Sequence, residues 1–171
     1  MRKPLFIALV VLLLFVIAFA ASALANGDGN DSFAARLKGY EETPAINSAG
    51  TGHFSASVDN SGTTITYELS YSGLSGPAAV AHIHFAQRDV AGAVVAFLCG
   101  GGGKPACPAS GEVTGTIVSS DIIAVPAQGI AAGDLAAVLK AMRAGRTYAN
   151  VHTADFPNGE IRGQIRGDDD D

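Results

Sequence analysis

The sequence predicts an all-β fold, an antiparallel Greek-key β-sandwich or barrel of roughly eight strands with one short crossover helix. Three observations carry that expectation. Apolar and polar residues alternate with period two through most of the chain after residue 31. Glycine is abundant at 21 residues, tryptophan is absent and aromatics make up 7%, a composition that suits strands and turns better than a helical bundle. Turn signals such as Asn60-Ser61-Gly62 and Pro157-Asn158-Gly159 separate the alternating runs.

The chain opens on a targeting pattern. Arg2 and Lys3 precede an apolar run from Leu5 to Ala20, and Ala23-Leu24-Ala25 offers the small-x-small pattern of signal peptidase. Residues 1–25 therefore read as a signal peptide cleaved after Ala25. The alternative is an uncleaved anchor, since Leu5 to Leu24 approaches the ~20 residues that span a bilayer. Either way the folded part lies outside the cytoplasmic membrane, as a secreted, periplasmic or cell-surface domain. Residues 26–31, NGDGND, form a polar linker, residues 32–166 the domain, and residues 167–171 an acidic tail that reads as solvated and disordered.

Within the domain the first strand carries Phe33, Ala35 and Leu37 on one side, with Arg36 and Lys38 on the other. Phe54, Ala56 and Val58 alternate with Ser55, Ser57 and Asp59; Ile65, Tyr67, Leu69 and Tyr71 alternate with Thr64, Thr66, Glu68 and Ser70. Joined by Asn60-Ser61-Gly62, these two runs predict an antiparallel hairpin. Strands follow at Val80–Phe85, at the more uniformly apolar Ala93–Leu98, and at Glu112–Val118, Tyr148–Thr153 and Glu160–Arg166. Only Leu135, Val138, Leu139 and Met142 follow helical spacing; Asp134 caps that helix and Gly145 ends it.

Cys99 and Cys107 bracket a glycine-rich loop. Outside the cytoplasm the default for such a pair is a structural disulfide, contributing ~2–3 kcal/mol for a loop this short. A formal charge of −5 argues against a nucleic-acid partner, which calls for a basic face. The chain contains no G-x-S-x-G, no H-E-x-x-H and no P-loop, and no serine stands in a recognisable nucleophile context.

The chemistry-bearing segment is Ala81-His82-Ile83-His84-Phe85. On a strand, residues two apart share a face, so Ala81, Ile83 and Phe85 point to the core and His82 and His84 away from it. In Asn150-Val151-His152, Val151 has the apolar parity, which puts His152 and Asn150 on the outward face. If the two strands are neighbours, His82, His84 and His152 can converge on one ion, and imidazole suits zinc, copper, nickel or iron. The competing reading is a set of hydrogen-bonded structural histidines. His53, between Gly52 and Phe54, belongs to no motif and reads as an exposed histidine. Glu160, Arg162 and Gln164 share one strand face, commonly a solvated one; Glu160 and Arg162 can pair there, or Glu160 can orient an imidazole from behind.

Three motifs in order resemble a known family. Phe33 to Pro44 (FAARLKGYEETP), then Ala81 to His84 (AHIH), then Tyr148 to Thr153 (YANVHT) with Pro157 to Ile165 (PNGEIRGQI) resemble the opening, centre and closing signature of the CHRD domain, the module named for chordin. The resemblance spans about residues 32–166 and implies an extracytoplasmic β-sandwich. Carried over by motif position, His82, His84 and His152 form the special cluster, with Glu160, Arg162 and Asn150 around it. In chordin the repeats belong to a protein that binds growth factors; no such partner is implied here. The His-x-His strand and the later histidine are also similar to the copper side of the copper–zinc superoxide dismutases, while the bridging histidine and zinc cluster are missing. The expected fold is thus superoxide-dismutase-like or immunoglobulin-like. The expected function is a non-enzymatic binding module with copper or zinc as candidate cofactor and a protein or polysaccharide partner. It would touch the membrane only through the N-terminal segment, and only if that segment is uncleaved. The rival readings are a copper- or zinc-dependent redox or metal-handling protein and a matrix or adhesion module.

Overall fold

The computed structural model describes residues 31–167. The expected signal peptide, its alternative as an anchor, most of the linker and the run Asp168 to Asp171 lie outside the described residues. Among the described residues the strands are β1 (Ser32–Lys38), β2 (Thr51–Val58), β3 (Ile65–Ser72), β4 (Ala78–Phe85), β5 (Ala93–Cys99), β6 (Gly111–Ile117), β7 (Thr147–Thr153), β8 (Ile161–Gln164) and β9 (Arg166–Gly167), with one α-helix, α1 (Leu135–Arg143). Their order is β5-β4-β7-β8-β1-β2-β3-β6, every pairing antiparallel, and β9 also pairs with β1. The result is an all-β, nearly closed barrel.

Alternation decides what faces inward. Phe33, Ala35, Leu37, Phe54, Val58, Ile65, Tyr67, Leu69, Ile83, Val151 and Ile161 all belong to one buried cluster. The hairpin of β2 and β3 pairs Phe54 with Leu69 and Val58 with Ile65, as the two alternating runs predict. In β5 the alternation fails for a reason. Its register against β4 slips twice, leaving Leu98 and Val95 as bulged residues. Each bulge lets two successive residues turn inward, so Val95 with Ala96 and Leu98 with Cys99 are buried. That is why this strand reads as uniformly apolar.

The same bulges help close the barrel between its edge strands, β5 and β6, which Tyr67 of β3 and Ile123 beyond β6 reach across. The Leu98 carbonyl accepts the Tyr67 hydroxyl at 2.6 Å, and the Val95 carbonyl accepts the Ile123 N–H at 2.9 Å. The Cys99–Cys107 disulfide ties the end of β5 to the loop that leads into β6.

The run expected at Glu160–Arg166 is divided. Glu160 precedes β8, and the chain breaks at Ile165 before β9. Pairing to β1 keeps one register across the break, Arg162 opposite Lys38 and Arg166 opposite Ala34. Meanwhile the Ile165 N–H still bonds the Thr147 carbonyl on the β7 side at 2.9 Å.

Helix α1 begins where Asp134 accepts the Ala137 N–H at 2.9 Å. It ends with Gly145 at φ +62°, its N–H on the Met142 carbonyl and the Arg146 N–H on the Ala141 carbonyl. Leu135, Val138, Leu139 and Met142 join the barrel core.

Candidate metal centre

Strands β4 and β7 are direct neighbours, with Val80 opposite His152, His82 opposite Asn150 and His84 opposite Tyr148. Three histidines on the outer face thus meet across one ladder, one nitrogen of each ring within 4.8 Å of the others. The outer face is not solvent. His82, His84 and His152 retain 8%, 8% and 6% of their exposure, with Gly92 of the β4–β5 loop, Pro157 of the β7–β8 loop and the rings of Phe97 and Tyr148 packed against them.

The hydrogen bonds fix which nitrogens are free. A carbonyl can only accept, so His84 donates Nδ1–H to the Gly92 carbonyl at 3.0 Å. Its Nε2 then carries the lone pair, and that atom is buried without a partner. His152 likewise donates Nδ1–H to the Pro157 carbonyl at 3.1 Å, leaving Nε2 as an acceptor. That Nε2 stands 3.2 Å from His82 Nδ1, which donates to it in the metal-free tautomer. Two nitrogens each 2.0–2.1 Å from a tetrahedral ion are themselves about 3.3 Å apart, so this pair has the spacing of a ligand edge. Backbone carbonyls behind two of the rings orient them as metal-ligating imidazoles are oriented.

Burial holds all three rings neutral. It pushes His82 down to about 3, helped by His152 and His84. It takes His84 to about 4 against the opposing Gly92 bond, and it also depresses His152. Neutral imidazole is the ligating form.

The surrounding residues are a dense polar layer. Tyr148 stacks on His84 with centroids 4.7 Å apart and planes 5° from parallel, while the Arg162 guanidinium sits 3.6 Å above the same ring. Both cannot share one face, so Tyr148 lies between them. Arg162 donates to Thr43 Oγ1 and to the Val90 carbonyl. Asn150 donates to Glu42 Oε1 at 2.6 Å and to the Ile161 carbonyl. Burial raises Glu42 to about 7, despite the pull of Asn150 and Arg162.

Glu160 corrects the expectation of a solvated strand face. It is fully buried, and it neither pairs with Arg162 nor touches an imidazole. Ser48 Oγ, the Ser75 N–H, Ser75 Oγ and Thr153 Oγ1 donate to its two oxygens at 2.6 to 2.7 Å. Burial alone would raise its pKa, and these donors outweigh burial and hold it low. Arg162, 3% exposed, departs from that expectation in the same way, because the β1–β2 and β4–β5 loops cover it. His53 is exposed and lies away from the cluster, on β2 opposite Arg36.

A family model for the CHRD domain matches residues 33–165. The chain belongs to the CHRD-domain family. Comparison with curated proteins and with solved structures gives no match. In this CHRD domain the central His-x-His and the later histidine of the closing segment come together, whereas Glu160 of that segment serves the loops instead. Reasoning from sequence missed Tyr148 and Glu42. Tyr148 has the same strand parity as Asn150 and His152, a signal that was available. Glu42 sits in a loop, where no periodicity predicts what it will cover.

Proposed function

We propose that this CHRD domain is a non-enzymatic, extracytoplasmic binding module that holds a zinc or copper ion on His82, His84 and His152. The observation that carries the reading is the buried, unpartnered Nε2 of His84 beside two imidazoles of matching spacing. A buried polar atom left unbonded costs ~1–3 kcal/mol, a cost that metal ligation removes. The donor set is three neutral nitrogens, which suits zinc or copper over magnesium or calcium. Three protein ligands leave a further position for water or for a donor atom of a partner. The ion would supply a Lewis-acidic anchor there. The Cys99–Cys107 disulfide supports an oxidising compartment, as does the leader-like segment of residues 1–25.

The test is elemental analysis and metal titration of the untagged protein purified from a periplasm. Stoichiometric zinc or copper is expected, lost in His82→Ala and His84→Ala variants that still unfold cooperatively. A metal-free protein with no zinc or copper affinity tighter than ~1 mM would retire the metal reading and leave the histidines a structural network.

A further inference from the structure

A second feature lies on the outer face of β1, apart from the histidines. Here a cleft of about 520 Å³ is lined by Arg36, Lys38, Arg88 and Arg166, with Glu41 and His53 at its walls. All four cations are exposed. Register explains how they gather. Arg36 and Lys38 share the outward face of β1, Arg166 comes from β9 opposite Ala34, and His53 comes from β2 opposite Arg36. Arg88 arrives from the β4–β5 loop and makes the one ion pair of the group among the described residues, with Glu41.

This concentration of positive charge stands against the bulk of the molecule, whose formal charge is −5. Like charges on adjoining strands oppose folding, and exposed ones gain nothing from packing. Charge complementarity makes an anion the partner of such a face.

The spacing narrows the class. Arg36 and Lys38 stand ~6.6 Å apart along the strand, and adjacent strands lie ~4.8 Å apart. The cations form a grid along β1 instead of converging on one point, so a single small oxyanion meets few of them. A linear polymer with repeated anionic groups meets several. No Phe, Tyr or Trp side chain lines the cleft, so nucleic-acid bases lack the broad aromatic platforms on which they stack in single-strand binders. Arginine forks and the neighbouring imidazole suit carboxylate or sulfate groups flanked by hydroxyls. We infer that the β1 face is a binding cleft for an acidic polysaccharide, with Arg36, Lys38 and Arg166 as its main contacts. This inference does not depend on the metal site.

The test is calorimetric titration of the full protein in chelator with oligogalacturonate, against neutral dextran and single-stranded oligothymidylate of equal charge. The oligogalacturonate should bind at ~20 mM salt, weaken steeply as salt screens the charges, and bind more tightly than the other two. An Arg36→Gln/Arg166→Gln variant should bind about tenfold more weakly or worse, with its unfolding midpoint unchanged, while Lys140→Gln on the helix should bind as wild type. No binding up to ~1 mM would overturn the inference. Equal binding by the double variant would overturn it too, as would tighter binding of the oligothymidylate.

Discussion

Glu42 shows how far one side chain departs from what its residue type suggests. It is an acid in a surface loop by sequence, yet it is 8% exposed and carries a pKa near 7. The unfolded chain ionises it at about 4.5, so the folded state binds the extra proton between those values. Its protonated form therefore stabilises the fold below pH 4.5, and that contribution fades as pH rises through about 7. A shift of this size corresponds to about 3 kcal/mol at most. Glu42→Gln, which keeps the acceptor for Asn150 and cannot ionise, should gain on wild type as pH rises from 5 to 8 in urea unfolding. A constant gap across that range would show that burial of this carboxyl does not govern the pH dependence. The histidine parity is the legible counterpart. Period two alone puts His82, His84 and His152 on one face. Their burial is not legible, because alternation does not show that the β4–β5 and β7–β8 loops fold back over this face.

At the scale of the element, the loops over the polar face are positioned by close approaches. Gly159, in the β7–β8 connection, has φ +123°, and a Cβ there would lie 2.7 Å from Glu42 Oε1 and 2.8 Å from Asn150 Nδ2. Gly145, at the end of α1, also has positive φ, but its Cβ would meet nothing within 4 Å. Gly145→Ala should therefore cost only its backbone strain, about 1 kcal/mol. Gly159→Ala should cost distinctly more, of the order of 1–3 kcal/mol for the backbone plus the displaced Glu42–Asn150 bond. Thermal unfolding of the two variants side by side tests this ranking; equal losses would refute it. Strand and helix identities were readable because each carries its own periodicity. The ends of β8 were not, since the strand, paired with both β7 and β1, stops at Gln164 and resumes after Ile165 as β9 on β1 alone.

For the molecule as a whole, the seam between the edge strands β5 and β6 decides whether the barrel closes. Tyr67 donates its buried hydroxyl to the carbonyl of the bulged Leu98. Tyr67→Phe removes that donor, keeps the ring and leaves the carbonyl without it, so a loss of ~1–3 kcal/mol is expected in equilibrium unfolding. Unchanged stability would mean that the disulfide and the Ile123–Val95 bond close the barrel unaided. The sequence showed a tyrosine of core parity and an apolar strand. It did not show that two bulges would turn carbonyls toward the gap.

By itself the sequence determined the all-β class, the strand positions, the capped helix, the cysteine pair and the face on which the histidines stand. Each follows from local spacing, and spacing is a property of consecutive residues. Tertiary structure alone decided that β4 and β7 are neighbours, that the polar face is roofed by loops, and that Glu160 binds hydroxyls of Ser48, Ser75 and Thr153. It also decided that three arginines and a lysine from β1, β9 and a loop line one cleft. Those are long-range pairings, set by which strands close the barrel, and no local periodicity encodes them.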